Sequence, residues 1–213
     1  MDKKFCIFDM DGTLVDSMGY WKQLGREYLA QKGFTENVEP VLERIKTMTM
    51  AESTALIIRT FRLEVTPEKL VDEMNRVMEE HYRRDVPLKS GIAGYLTALR
   101  ERGARLCVAT ATDEVLARAC LERLEVADCF EFILSCEAMG VGKDRPDVFL
   151  AAAHRLGAAP GEIAVFEDAV YAVRTAKAAG FYTVGVYDEN GAADWASVAE
   201  LADETVLDWN QAK

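Results

Sequence analysis

The sequence predicts an α/β protein with a parallel-sheet core that is interrupted by one inserted helical domain. From Pro87 onward, short apolar runs alternate with helical patterns of about ten residues, which is typical of βαβ units and a parallel sheet. Before Pro87, one apolar strand pattern is followed by a long block of helical periodicity. We therefore expect residues 1–16 and 89–213 to form the core and residues 17–88 to form the helical insert.

The first predicted strand and the insert carry the clearest local signals. Lys3–Phe8 is a buried-strand pattern that leads into a tight turn at Asp9. In the insert, Thr66 followed by Pro67 is typical of a helix start. Apolar residues recur every three to four positions and predict helices around Trp21–Leu29, Pro40–Met48, Ala51–Phe61 and Leu70–Tyr82.

After the insert, strand and helix patterns alternate to the end of the core. We expect the two connections between core and insert to lie near Val15–Ser17 and Val86–Gly91. The predicted strands are Arg105–Ala109, Glu131–Ser135, Glu162–Phe166 and Tyr182–Val186, and the predicted helices are Ile92–Arg102, Glu114–Leu124, Pro146–Leu156 and Ala169–Ala179.

Charge limits the classes of partner. Lys and Arg total 25 against 36 Asp and Glu, a net charge of −11. Nucleic acids and anionic membranes are bound through a surplus of Lys and Arg, so we expect neither as a partner. Charge-free runs are too short to cross a bilayer, and no secretory signal is evident, so we expect a cytoplasmic protein. As a separate expectation, we take the chain to be a monomer or a weak homodimer. The acidic residues of 188–213 predict a solvated edge.

The cysteines and histidines do not form a recognisable site in the sequence. The five cysteines show no CxxC spacing, and Cys6 and Cys107 lie in apolar strand patterns, where a thiol packs as a small hydrophobe. His81 and His154 lie on helical patterns, so we expect both at helix surfaces. Neither a zinc site nor a histidine-dependent triad is predicted.

Chemically active side chains follow four of the predicted strands. In open parallel sheets, ligands bind beyond the carboxyl ends of the strands. Carboxylates suit Mg²⁺, and a carboxylate can attack phosphorus once a metal and a lysine neutralise the phosphoryl oxygens. A second carboxylate two residues later can act as acid and then as base. The residues brought to this edge are Asp9, Asp11, Thr110, Lys143, Glu167 and Asp168.

Each motif has another interpretation when it is taken alone. Asp9–Gly12 resembles half of an EF-hand loop, but its glycine is at position four instead of six. Gly140–Lys143 resembles a phosphate loop, but Asp144 stands where Ser or Thr is required. Glu167-Asp168 alone would more often be an acidic pair at a helix N-terminus, and Thr110 a strand-end hydroxyl. Their shared position favours an active site.

These motifs resemble those of the haloacid dehalogenase superfamily, in the branch with a small helical cap that includes β-phosphoglucomutase and phosphoglycolate phosphatase. Asp9-Met-Asp-Gly-Thr-Leu-Val matches the first motif, and Thr110 matches the hydroxyl residue of the second. Residues 142–149 are similar to the lysine segment, and Phe-Glu-Asp-Ala at 166–169 to the acidic fourth motif. The resemblance covers nearly the whole chain and implies a Rossmann-like core with a helical cap.

The resemblance also implies roles for individual residues. Asp9 would be the nucleophile that forms an aspartyl-phosphate, Asp11 the general acid and base, and Thr110 and Lys143 the residues that hold the phosphoryl group. Mg²⁺ would be bound by Asp9, the Asp11 carbonyl and Asp168, with Glu167 as a ligand or as a partner of the ligands. Met10, Ala111 and Trp21 are further candidates for contact with the substrate or its phosphate.

Departures from the mutase pattern favour a phosphatase that acts on a small phosphorylated metabolite. In a mutase, basic residues grip a second phosphate, but here Met50 and the acidic pair Asp113-Glu114 occupy those places. Trp21 replaces a histidine of the mutase insert. Two alternatives stay open, a phosphosugar mutase and a non-catalytic binding protein. Within the fourth motif, Ala169 and Ala172 also depart from the family pattern. In the insert, Tyr20, Met48 and Met50 are further candidates to face the substrate.

Overall fold

The computed structural model describes residues 3–45, 48 and 50–212. The chain forms two compact units: a core of 3–18 with 86–212, and an insert of Gly19–Asp85. Among the described residues, no helix is both long and apolar enough to cross a membrane. The strands are β1 (Phe5–Phe8), β2 (Arg105–Thr110), β3 (Ile133–Ser135), β4 (Ile163–Glu167), β5 (Tyr182–Val186) and β6 (Glu204–Val206). The helices are α1 (Met18–Gln31), α2 (Val38–Ile45), α3 (Met50–Phe61), α4 (Pro67–Arg84), α5 (Ile92–Glu101), α6 (Glu114–Arg123), α7 (Cys136–Met139), α8 (Asp147–Leu156), α9 (Val170–Ala178) and α10 (Trp195–Leu201).

The core is a six-stranded sheet in the order β3-β2-β1-β4-β5-β6, and every pair is parallel. The chain fills the β2 side first and then crosses to β4, so the strand order reverses at β1. In parallel sheets such a reversal opens a crevice at the carboxyl ends of the strands. Phe8, the last residue of β1, is level with Val108 of β2 and Phe166 of β4. The residues that follow these positions therefore emerge at the same edge.

Both faces of the sheet are buried against apolar side chains. On one face, the rings of Phe8 and Phe166 stack with centroids 4.2 Å apart, and Trp209 lies 5.7 Å from Phe166. On the other face, Ile7 and Val165 pack in a cluster with residues of α8 and α9. Burial of both faces explains why the central strands are continuous apolar runs. Burial of both faces also fixes the positions of the strand ends, which carry the polar side chains.

The insert contains helices α1 to α4, and its described residues include no strand, as the periodicity predicts. The Thr66 hydroxyl accepts a hydrogen bond from the Lys69 amide and caps α4, whose first residue is Pro67. Helix α2 is described over Val38–Ile45, and residues 46 and 47 of the predicted helix Pro40–Met48 lie outside the described residues. The buried residues of α1 and α4 recur at helical spacing: Leu24, Tyr28 and Leu29 on α1, and Leu70, Val77, Met78 and Tyr82 on α4.

His81 is more enclosed than the sequence predicts. Its side chain is 15% exposed, with Nε2 2.7 Å from Glu27 Oε2 and Nδ1 3.0 Å from Asp85 Oδ2. The Tyr20 ring lies 4.7 Å from the imidazole. Burial alone would lower the pKa of His81, but the hydrogen bonds and charges of Glu27 and Asp85 raise it above its usual value. His81 lies on helix α4, as the sequence predicts, and the unpredicted feature is the carboxylate that α1 supplies on the other side of its ring.

This environment predicts a pH-dependent contribution to the stability of the insert. Because the folded pKa exceeds the unfolded one, the stabilisation is fully present below about pH 6.5 and is lost as the pH rises through the folded pKa. The difference in free energy of unfolding between the wild type and His81→Gln should therefore shrink from pH 6 to pH 9, measured by urea denaturation. The exposed His154 provides the control variant His154→Gln. A difference that is constant with pH would contradict the assignment.

The C-terminal segment adds the edge strand β6 to the core sheet, and its acids lie mainly at the surface, as the sequence predicts, with Asp188 as the buried exception. Strand β6 pairs with β5, and Trp209 is buried, with its indole N–H donating to the Thr13 carbonyl at 3.3 Å. The Asp203 carboxylate accepts from the Thr183 amide at 2.8 Å, and the buried Asp188 pairs with Lys89 at 2.7 Å. The solvated edge predicted for 188–213 therefore holds for most of its acids, whereas the burial of Asp188 beside Lys89 and of Trp209 was not predicted.

Candidate active site

A buried lysine joins two carboxylates at the carboxyl edge of the sheet. Lys143 Nζ donates to Asp9 Oδ1 and, at 2.6 Å, to Glu167 Oε1. All three residues are almost inaccessible, at 5% exposure for Lys143, 6% for Asp9 and 1% for Glu167. Asp168 follows directly, and carboxylate oxygens of Asp9, Glu167 and Asp168 lie within 4.8 Å of one another. The structure thus brings together four of the predicted site residues.

The geometry follows from strand register and from one glycine. The Asp9 amide continues the ladder by donating to the Phe166 carbonyl at 2.9 Å, which places Asp9 beside the end of β4. Gly12 then turns the chain with φ of +81°, a backbone conformation that residues other than glycine rarely adopt. A Cβ at Gly12 would lie 2.8 Å from Asp168 Cγ. The glycine therefore lets the loop after β1 approach the carboxylate that follows β4.

The electrostatics of this cluster are unbalanced because three carboxylates share one ammonium group. Burial, together with the charges of Glu167, Asp168 and Asp11, raises the pKa of Asp9 well above its usual value, although Lys143 acts in the opposite direction. Burial and Glu167 raise the pKa of Asp168 to about 7. Burial would lower the pKa of Lys143, but the charges of Asp9 and Glu167 raise it. Added positive charge would relieve the repulsion among the carboxylates.

The donor set fits a hard divalent cation. Mg²⁺ prefers oxygen ligands and keeps several waters, so a few carboxylates from separate loops are sufficient. Asp9, Glu167 and Asp168 offer such oxygens from two adjacent strand ends. Cysteine or histidine, which would favour zinc, is absent from this group. Among the described residues, the acidic cluster therefore suits Mg²⁺ better than a softer metal.

Asp11 lies beside this cluster and is held by two hydroxyl groups. Ser17 Oγ donates to Asp11 Oδ1 at 2.6 Å, and Thr112 Oγ1 donates to Asp11 Oδ2 at 2.8 Å. Neither hydroxyl was identified as a site residue from the sequence. The available signal was their position: Thr112 is two residues beyond Thr110, and Ser17 lies in the predicted connection to the insert.

The remaining predicted residues have different surroundings. The Thr110 hydroxyl is buried and accepts from the Thr112 amide at 3.0 Å. The Met10 side chain is fully buried, so any contact with a phosphate has to come from its backbone, whereas Ala111 is exposed. Trp21 is 37% exposed, and its indole N–H donates to the Tyr82 hydroxyl within the insert. Its contact with substrate stays a prediction, as do those of Tyr20 and Met48, and the side chain of Met50 lies outside the described residues.

Comparison with known proteins identifies the family. The profile of the haloacid dehalogenase-like hydrolases matches residues 3–180. The chain belongs to this family. It is 29% identical to β-phosphoglucomutase of Bacillus subtilis, over 86% of this chain and 83% of that protein. It is 28% identical to the fructose-1-phosphate phosphatase YqaB of Escherichia coli, over 84% of this chain and 94% of that protein. The crystal structure of CbbY from Rhodobacter sphaeroides superposes with a TM-score of 0.72 at 22% identity, covering 98% of this chain and 96% of that one.

These matches confirm three predictions from the sequence. The family is the one that the four motifs resemble, and the parallel-sheet core has the predicted haloacid dehalogenase-like fold. The prediction of an enzyme of the hydrolase class is confirmed as well, and named phosphatases among the relatives support the predicted phosphatase. The roles of individual residues and the metal of this haloacid dehalogenase-like hydrolase stay predictions.

Proposed function

We propose that this chain is a phosphatase that hydrolyses small phosphomonoesters with the help of Mg²⁺ and an aspartyl-phosphate on Asp9. The observation that carries the proposal is the buried contact of Asp9 with Lys143, beside Glu167 and Asp168, at the carboxyl edge of the sheet. A buried carboxylate next to one lysine and two further carboxylates suits nucleophilic attack on a phosphoryl group. The phosphatases YqaB and the phosphorylated carbohydrates phosphatase of Thermotoga maritima are relatives whose names support the same reaction class.

In the first half of the reaction, an Asp9 oxygen attacks phosphorus. A bond forms between this oxygen and phosphorus while the bond from phosphorus to the leaving oxygen breaks. Asp11 gives its proton to the leaving oxygen, so that an alcohol departs. Lys143 neutralises part of the negative charge beside Asp9. Mg²⁺, held by Asp9, the Asp11 carbonyl and Asp168 with Glu167 nearby, would supply the remaining positive charge for the phosphoryl oxygens.

In the second half, water releases the phosphate. Asp11, now ionised, takes a proton from a water molecule whose oxygen attacks phosphorus. The bond between Asp9 and phosphorus breaks, inorganic phosphate leaves, and Asp11 is protonated again. The two carboxylates thus have separate tasks, and their environments differ accordingly: Asp9 contacts a cation, whereas Asp11 contacts two neutral hydroxyl groups.

Two acidic side chains follow β2 and favour a phosphatase over a phosphosugar mutase. The Asp113 carboxylate accepts from the amides of Val115 and Leu116 and caps α6, while Glu114 pairs with Arg118 at 3.1 Å. Asp113 therefore keeps a negative charge in this loop, whereas the charge of Glu114 is offset by Arg118. A mutase would need positive charge for the second phosphate of a bisphosphate.

Phosphate release from a panel of sugar, polyol and hydroxy-acid monophosphates tests this function. We expect turnover of at least one alkyl phosphate with Mg²⁺, and a fall of at least about 100-fold after chelation, because a divalent ion contributes several kcal/mol to such reactions. NMR analysis of the products from hexose 1-phosphates, with a bisphosphate primer added, distinguishes hydrolysis by a phosphatase from isomerisation by a mutase. Interconversion of hexose phosphates would establish the mutase instead, and no turnover of any ester would favour the non-catalytic binding protein.

A further inference from the structure

The carboxylate of Asp11 is hydrogen-bonded through both of its oxygens by side chains from different parts of the core. Ser17 Oγ donates to Oδ1 at 2.6 Å, and Thr112 Oγ1 donates to Oδ2 at 2.8 Å. A carboxylate with one such bond can still rotate about its last side-chain torsion, which is broad for aspartate. Two bonds from opposite oxygens fix the plane of the group.

Each hydroxyl group is itself held in place. The Thr112 amide donates to the buried Thr110 hydroxyl at 3.0 Å, so the last residue of β2 orients Thr112. Ser17 is fully buried, and the preceding residue, Asp16, donates its amide to the Pro87 carbonyl at 2.9 Å. Ser17 directly precedes α1, where a serine usually caps a helix, but its hydroxyl is directed to Asp11. Both donors thus depend on the backbone of the core.

We propose that Ser17 and Thr112 are positioning residues that aim the Asp11 carboxyl group at the oxygen of the leaving alcohol, an inference that rests on the proposed function. Hydroxyl groups suit this task because each can either donate or accept a hydrogen bond, whichever form Asp11 takes. Precise placement matters because displacing a catalytic group by about 1 Å lowers rates by about 100-fold. The role is exerted through Asp11, without contact with the reacting atoms.

A positioning role differs from a structural one in its dependence on the leaving group. An alkoxide leaves phosphorus only with a proton from the acid, whereas p-nitrophenolate leaves without one. The parameter kcat/KM reports the steps up to the first irreversible one, here departure of the leaving group, and excludes the later attack by water. Misplaced Asp11 therefore lowers kcat/KM for an alkyl phosphate much more than for p-nitrophenyl phosphate. General damage to the fold lowers both alike.

The variants Ser17→Ala and Thr112→Val, singly and together, test the inference with both substrates. Each single change should lower kcat/KM for the alkyl phosphate about tenfold, the effect of one hydrogen bond to a charged group, and the double change about 100-fold. The value for p-nitrophenyl phosphate should fall less than about threefold in each single variant. Thr112→Ser, which keeps the hydroxyl, should retain most of the alkyl activity. Thr97→Val, which removes an exposed hydroxyl on α5, is the control and should leave kcat/KM for both substrates unchanged.

The outcomes separate the inference from the proposed function. Suppose that wild-type protein hydrolyses alkyl phosphates, but that kcat/KM of the variants falls equally for both substrates or for neither. The positioning role is then overturned while the phosphatase stands. If Thr112→Ser loses as much alkyl activity as Thr112→Val, the hydroxyl is not the responsible group, and the inference fails as well. If wild-type protein releases phosphate from no alkyl ester, the proposed function and the inference fall together. Circular dichroism of each variant verifies that it is folded.

Discussion

Asp9→Asn should reduce phosphate release by a factor on the order of 10⁴ or more, because the amide cannot serve as the nucleophile that accepts the phosphoryl group. The protein should nevertheless remain folded, since Asn has almost the same shape and Lys143 keeps its bond to Glu167 at 2.6 Å. In metal-free buffer the variant should be at least as stable as the wild type, because burial and the neighbouring carboxylates disfavour the charged form of Asp9 and raise its pKa. Steady-state assays and thermal unfolding measure the two effects.

Asp203→Asn is the matched control for Asp9→Asn. Asp203 also binds a lysine, Lys177, at 3.0 Å, and it accepts from Thr183, but it lies at the start of the β6 segment. Its pKa is lowered, because the bonds from Thr183 and Lys177 outweigh burial. Neutralising it should therefore lower stability and leave catalysis unchanged, the opposite of the effect at Asp9. More than about a tenth of wild-type turnover in Asp9→Asn would contradict the assignment of the nucleophile.

Lys143→Met should have the largest effect on stability. The change removes the ammonium group that Asp9 and Glu167 share and leaves their carboxylates buried beside Asp168. Breaking a buried ion pair by removing one partner costs about 3–5 kcal/mol. Turnover should fall by about 100-fold or more, because a preorganised positive charge next to the phosphoryl group is lost. Urea denaturation in the presence of a chelator measures the stability change.

Adding Mg²⁺ to Lys143→Met should recover part of the lost stability, because an ion that binds only the folded state stabilises it. Lys177→Met is the control: it removes a lysine from an exposed pair with Asp203, where the expected cost is about 0–1 kcal/mol and no activity is lost. If Lys143→Met matched the wild type in free energy of unfolding without metal, the three carboxylates would not depend on this lysine. In that case, the electrostatic basis of the site would be wrong.

The sequence predicts the core strands and the main site residues for a common physical reason. Strands β1, β2 and β4 are buried on both faces, so they appear as apolar runs, and the polar residues at their ends are easily recognised. Because the carboxyl ends of parallel strands lie at one edge, Asp9, Lys143 and Glu167 could be expected to meet there. The structure places these three in direct contact.

Features that depend on distant partners could not be read from the chain. Strand β6 has only three residues and is defined by its pairing with β5, not by an apolar pattern. Trp209 is buried because its indole N–H donates to the Thr13 carbonyl and its ring packs against Phe166. The hydroxyl bonds of Ser17 and Thr112 to Asp11 join residues six and 101 positions apart, and the direction of a hydroxyl is set by tertiary contacts. No local periodicity encodes such contacts.

Trapping the phosphoenzyme tests the central claim most directly, namely that Asp9 is the group that accepts the phosphoryl from substrate. Wild-type protein mixed with Mg²⁺ and an alkyl phosphate from the panel would be quenched in acid within milliseconds, digested and analysed by mass spectrometry. We predict one phosphoryl group on the peptide that contains Asp9, and none in Asp9→Asn treated in the same way. A phosphoryl group on any other residue, or fast turnover of the substrate with no phosphoenzyme at any quench time, would contradict the account.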